Sequence, residues 1–303
     1  MCPGEALVCA IQAANVALCY ELLNEGADVN LRIHRGQTSL IFAAEQGQFE
    51  ILRLLLTHPN VDIEARDDLA RTALHWASIQ GHEAIAKELL LCGADPNCYD
   101  GRRSTPLFFA ASAGYEAIVW LLLATGKVDV NSRELSGRLP LSEAAKGAHT
   151  TVVRLLLKVD RVEVDGKDDC GQTPLWLAAR AGADEIVNMF LQWRREKGGI
   201  DANVADNFGQ TSLLMAARNG HIRIVRALLE IDGVDPDPSD CRLNTPLLLA
   251  ARNGHREVVE VLLSTGRVRV DVRNYYGQTP LTLARRMKRD EVVELLEWVE
   301  ARR

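Results

Sequence analysis

From Leu213 onward the apolar residues come in two bursts separated by a polar break. Leu213, Ala216 and Ala217 have the spacing of a short helix that meets a close neighbour through small side chains. Ile222, Val225, Leu228 and Leu229 follow at offsets of 0, 3, 6 and 7, which predicts a second helix with one apolar stripe. Gly220 between them reads as a helix stop, because a residue without a Cβ enters positive φ without penalty. Thr211 stands where its side chain can cap the free N–H groups of the first helix. Helices of two to three turns do not persist alone in water. Each stripe must therefore be buried against a neighbour, at roughly 1.5–3 kcal/mol per leucine.

The pattern recurs along the chain. Aligned on the threonine position, the copies begin at Thr38, Thr72, Thr105, Leu139, Thr173, Thr211, Thr245 and Thr279, at intervals of 34, 33, 34, 34, 38, 34 and 34 residues. A fixed period of this length predicts a solenoid in which each unit is covered by the next. Proline follows Thr105, Thr173, Thr245 and Thr279, at the first helical position, where its missing N–H costs nothing. The long interval contains Gln192–Gly199, read as an insertion of one helical turn or a short loop over 192–199.

The phrases GQTPLWLAARAG (171–182), TALHWASIQGHEAIAKELLLCGADPN (72–97) and NTPLLLAARNGH (244–255) closely resemble ankyrin repeats. That resemblance implies an all-α dominated solenoid with short β-turn or hairpin fingers, each finger followed by two antiparallel helices. It also implies a concave face lined by fingers and first helices, used to bind proteins. A single domain over 1–303 with about nine units is expected, with an N-terminal cap at 5–30 and a C-terminal cap at 277–303. In the last unit Arg289 is expected in place of the inter-helix glycine, and Trp298 over the terminal core. The VDVN endings and the extra residue after LLLATG resemble arrays in fungal multidomain proteins. Arg103, Leu243 and Ala70 stand where the pattern has glycine, which predicts side chains at positive φ.

Composition narrows the function classes. The 303 residues are 47% hydrophobic and 25% charged, the balance of a well-buried chain, and the net charge is -6. That sign argues against broad phosphate-backbone binding, so nucleic acid is a disfavoured partner. Seven cysteines, Cys2 among them, without a CxxC pair fit a reduced cytosolic or nuclear protein. No apolar run approaches 18 residues, so no membrane span is expected. No nucleophile elbow, phosphate loop, dinucleotide fingerprint or H-E-x-x-H pair is present. No metal or cofactor is expected. His82, His149, His221 and His255 recur after the inter-helix break, a whole repeat apart, and read as structural hydrogen-bonding groups rather than zinc ligands.

Function is then sought where the copies differ. By the ankyrin resemblance, the groove-facing candidates for partner binding are Arg71, Arg102, Arg138, Asp169, Trp176, Arg180, Phe208, Arg218, Arg242, Arg252, Tyr275 and Tyr276. Arg180, Arg218, Arg252 and Arg286 form a ladder across consecutive units. At about 10 Å its members repel by roughly 0.4 kcal/mol in water and 1.7 at an effective dielectric near 20. Asp206 and Asp240 are expected to compensate that charge, which would make the ladder structural; the alternative is a groove for anions. Trp176 is read either as packing or as contact surface. The leading expectation is a monomeric scaffold for a protein or peptide with acidic and apolar groups. The second is an enzyme or small-anion binder using Asp169, Arg180, Phe208, Arg218, Arg252 and Tyr276, which requires those side chains to converge.

Overall fold

A computed structural model describes residues 3–302, so Cys2 and Arg303 lie outside the described residues. Eighteen α-helices are found there, arranged as nine pairs. They run α1 (Pro3–Gln12) with α2 (Val16–Asn24), α3 (Ser39–Glu45) with α4 (Phe49–Leu56), α5 (Ala73–Gln80) with α6 (Glu83–Leu91), and α7 (Pro106–Ala113) with α8 (Glu116–Ala124). Then come α9 (Pro140–Lys146) with α10 (Thr150–Leu157), α11 (Pro174–Ala181) with α12 (Asp184–Lys197), and α13 (Ser212–Asn219) with α14 (Ile222–Leu229). The last pairs are α15 (Pro246–Asn253) with α16 (Arg256–Ser264), and α17 (Pro280–Arg286) with α18 (Asp290–Glu300).

The helices group into two compact units. One comprises the chain up to Ala144 with Leu155–Val162, the other Ala145–Arg154 with Glu163 onward. In the first, α3, α5 and α7 pack in sequence, and α4, α6 and α8 do the same behind them. In the second, α11, α13, α15 and α17 form one layer and α12, α14, α16 and α18 the other. Leu213, Ala216 and Ala217 are buried as their spacing predicts, and the small alanines let neighbouring first helices approach closely. The stripe on α14 is Ile224, Val225 and Leu228; Ile222 opens the helix half-buried, one residue off the predicted face.

The caps follow the sequence. Thr38, Thr105, Thr173, Thr211, Thr245 and Thr279 each accept a backbone N–H three residues on, and the four prolines occupy the first turns of α7, α11, α15 and α17. Residues 192–197 prolong α12 to fourteen residues, and Gly198 and Gly199, both at positive φ, end it. Arg194 Nη1 donates to Ile200 O at 2.8 Å and ties the extension down. Lys288, not Arg289, takes the positive-φ site of the last repeat, at φ 54°, while Arg289 takes the place that histidine holds in α14 and α16. Trp298 is 53% exposed under Arg302 rather than sealed over the core.

The expected hairpin fingers are absent. Among the described residues there is no β-strand, only one isolated bridge between Ala205 and Thr211. The physical cause is a side chain that takes the strand's hydrogen bonds. Asp240 Oδ1 accepts the amides of Arg242 and Asn244, and Asp67, Asp100, Asp168 and Asp206 do the same for residues two and four places on. Amides that point into their own loop's carboxylate are lost to strand pairing, so a compact loop forms instead. One backbone bond per step then links loop to loop: Asn207 N to Cys170 O, Cys241 N to Phe208 O and Tyr275 N to Arg242 O, at 2.8–2.9 Å. Ala70, Arg103 and Leu243 do sit at φ 58–60° in these loops. Leu243 is half exposed, so its side chain contributes little to offset that backbone. Leu243→Gly is expected to stabilise the chain by about 1 kcal/mol; an unchanged or lower urea midpoint would contradict this reading.

Candidate functional site

The candidate arginines divide by what they touch. In the first unit, Arg71 Nε lies 3.4 Å from Asp100 Oδ2, and its guanidinium packs over both Trp76 and Phe109 at 5.1 Å. Arg138 bonds Glu134 and Glu143 at 2.8 Å each and covers the Phe108 ring. Glu134 is held below the ordinary carboxylate range by Arg138 and loop amides, against the upward push of burial, its largest single influence. Both arginines are occupied within the fold, while Arg102 is exposed.

In the second unit the picture reverses. Arg180, Arg218 and Arg252 take the same last-turn position in three stacked first helices, and all three are exposed. Their backbone is locked across repeats. Asn219 Nδ2 and His221 Nε2 donate to Arg180 O at 2.9 and 3.3 Å, and Asn253 Nδ2 and His255 Nε2 donate to Arg218 O at 2.6 and 3.0 Å. His82 makes the same contact to Glu45 O at 3.3 Å, so His82, His221 and His255 each hydrogen-bond a carbonyl of the preceding repeat. Arg180 lies over the Trp176 ring at 5.7 Å. Trp176 itself is 2% exposed, packs with Leu177 and Met215, and donates its indole N–H to Gln210 O.

The expected charge compensation does not occur. Asp206 and Asp240 are buried and turned into their own loops, and among the described residues Arg180, Arg218, Arg242, Arg252 and Arg286 have no carboxylate within ion-pair distance. The negative ends of the helix dipoles, about half a charge each, are their nearest electrostatic support. Phe208, Tyr275 and Tyr276 project from the adjoining loops at 58, 74 and 64% exposure, the two tyrosine rings edge to face at 5.6 Å. Arg242, Arg252 and Arg286 line a single cleft of about 670 Å³ with Asn244, Asn274, Tyr276, Gln278, Leu283 and Met287. Asn274 escaped sequence reasoning; it anchors its loop where the three preceding loops of this unit use aspartate.

The residues of the enzymatic alternative do not converge. Arg252 and Tyr276 share the cleft, but Asp169 sits on a loop three repeats earlier, its carbonyl bonded to Asn207 Nδ2. A buried Cys98–His75 pair, with Sγ 3.6 Å from Nδ1, lies in the first unit. Burial pushes that thiol up to about 12 and that imidazole down to about 4, so both stay neutral, the opposite of what a thiolate–imidazolium nucleophile needs. Nδ1 of His75 instead accepts Thr72 N–H, and Nε2 donates to Ser104 O. Among the described residues no group of three or more His, Cys, Asp or Glu is placed to hold a metal, and no helix is long and apolar enough to cross a membrane.

Comparison with known proteins agrees with this architecture. The chain is 35% identical over 111 residues to the transient receptor potential channel pyrexia of Drosophila melanogaster, covering 37% of this chain and 11% of that protein. It is 38% identical over 87 residues to human neurogenic locus notch homolog protein 1, covering 29% and 3%. It is 31% identical over 134 residues to the putative palmitoyltransferase ZDHHC13 of Danio rerio, covering 44% and 21%. The chain thus spans about a fifth or less of each of these relatives. All three are animal proteins, and kinship with fungal multidomain arrays rests on the style of the sequence alone. The family described as ankyrin repeats (three copies) matches at residues 7–100, 85–168, 160–240 and 232–299, in overlapping stretches that leave little of the chain outside. By that match, over most of its length, the chain belongs to the ankyrin repeat family.

Proposed function

We propose that this chain is a protein-binding scaffold whose second unit docks an acidic, partly apolar segment of a partner. One observation carries the reading. Arg180, Arg218 and Arg252 stand in register on one layer of helices without carboxylate partners, beside exposed Phe208, Tyr275 and Tyr276. Exposed guanidinium groups repel one another unless a ligand supplies negative charge. Aromatic rings held next to them give the apolar area that binding hot spots use. A reducing setting, cytosolic or nuclear, suits a chain whose seven cysteines include no CxxC pair.

A random-peptide display selection against the whole chain tests the proposal. Enriched sequences should combine Asp or Glu with an aromatic or aliphatic residue. Arg218→Glu with Arg252→Glu should weaken those peptides at least tenfold, and Arg226→Glu, exposed on α14, should leave them unchanged. Selected peptides without acidic enrichment, or equal binding by a folded double variant, would end the case for this face.

A further inference from the structure

We propose that the cleft between the last two loops of the second unit recognises a phosphorylated side chain on the docked partner, in preference to a carboxylate. The inference rests on the docking function above and names the chemistry of one of its subsites. Three guanidinium groups, those of Arg242, Arg252 and Arg286, line one cleft, and none has an ion-pair partner. A carboxylate offers one charge and two oxygens, which a single arginine fork already satisfies. A phosphomonoester brings about 1.5 to 2 charges and three strong acceptor oxygens, enough to engage three forks at once.

The loop anchor supplies an independent sign. Asp168, Asp206 and Asp240 close their loops with a carboxylate, but the loop that lines the cleft is closed by Asn274. Its Oδ1 accepts Tyr276 N–H and Gln278 N–H at 3.0 Å, so the geometry is that of the aspartates. What differs is the other half of the side chain: a neutral amide replaces a charged oxygen at the cleft wall, and its Nδ2 donates to Asn244 Oδ1 and Gln278 Oε1 at 3.2 Å. Among the described residues no carboxylate lines the cleft, and Leu283 and Met287 add apolar surface to its wall. The helix C-termini that carry Arg252 and Arg286 oppose an anion with about half a charge each, against three full positive charges. A nucleic acid fits less well, since the whole chain carries a net charge of -6.

Three peptide pools, identical except for serine, phosphoserine or aspartate at a fixed central position, are titrated against the full chain by fluorescence anisotropy. The phosphoserine pool should bind at least tenfold more tightly than the other two. Asn274→Asp keeps the Oδ1 anchor used by its neighbours but gives up the Nδ2 bonds to Asn244 and Gln278, and should erase that preference in a chain that still unfolds cooperatively; Arg286→Gln, which leaves those bonds in place, should erase it too. Acidic peptides that bind with no preference for phosphoserine overturn this inference and leave the docking function standing. Failure of acidic peptides and all three pools to bind overturns both. A single-stranded oligonucleotide that outcompetes the phosphoserine pool, and loses its binding in the same variants, would also overturn the assignment.

Discussion

Between pH 7.5 and pH 4 the chain is expected to lose about 3 kcal/mol of stability through one buried imidazole, that of His75. The ring has no measurable exposure, and burial, its largest influence, pulls it from 6.5 to about 4 despite the favourable bond to Ser104 O. Between those two values the unfolded chain takes up a proton that the folded chain refuses. Stability is therefore complete above pH 6.5, declines as pH falls, and its His75 share is spent by about pH 4; the separation of the two values sets the magnitude. Structure supplies the reason for the refusal: Nδ1 already accepts Thr72 N–H in the capping box of α5, and a proton there would leave that donor facing another donor. His75→Gln removes the titration, whatever it does to the baseline. Urea unfolding of both proteins across this range should show the stability of the wild type relative to the variant falling by about 3 kcal/mol between pH 7.5 and pH 4, and curves that stay parallel would refute the assignment.

Much of the fold was legible because the repeat states it several times over. A threonine cap before an apolar-alanine burst, with proline at the first helical position, fixes a helix start whichever copy is read, as Thr105, Thr173, Thr245 and Thr279 show. The hairpin fingers that the ankyrin resemblance implies are compact loops, and the aspartates expected to offset the arginines hold those loops closed. Asp240 lies two residues before Arg242 in sequence, yet its carboxylate closes its own loop by accepting backbone amides, and only the folded geometry reveals that preference. The candidate site was half legible for the same reason. The partner that occupies Arg71 is Asp100, 29 residues away, while Arg138 finds Glu134 and Glu143 in its own repeat and nothing similar reaches Arg218. For Arg71, as for the carbonyl of Arg218, the deciding contact comes from the next repeat.

That dependence on the next repeat gives the second large effect. Gly220→Ala is expected to cost about 3 kcal/mol and to disturb the backbone of the arginine row. The glycine holds φ +79°, where an alanine costs about 1 kcal/mol. A Cβ there would also lie 2.6 Å from Nδ1 of His255, the ring that reaches back to Arg218 O. Displacing that ring gives up a hydrogen bond worth about 1 kcal/mol and adds the strain of overpacking. The chain shows the same constraint at other steps. Gly47, Gly182 and Gly254 face His82, His221 and Arg289, and a Cβ on each would come within 2.6–2.7 Å of that side chain. At Ala148, φ 57°, the residue in the following repeat's histidine position is the small Ala183, while Ala14, φ 52°, stands opposite the more flexible Gln48. Where the incoming side chain is a rigid histidine ring, it adds to the demand of the turn for glycine. Gly220→Ala with His255→Ala should then be less destabilised than the sum of the two single variants, by 1 kcal/mol or more on the usual scale for contacting residues. Strict additivity would show that the backbone angle alone sets the cost.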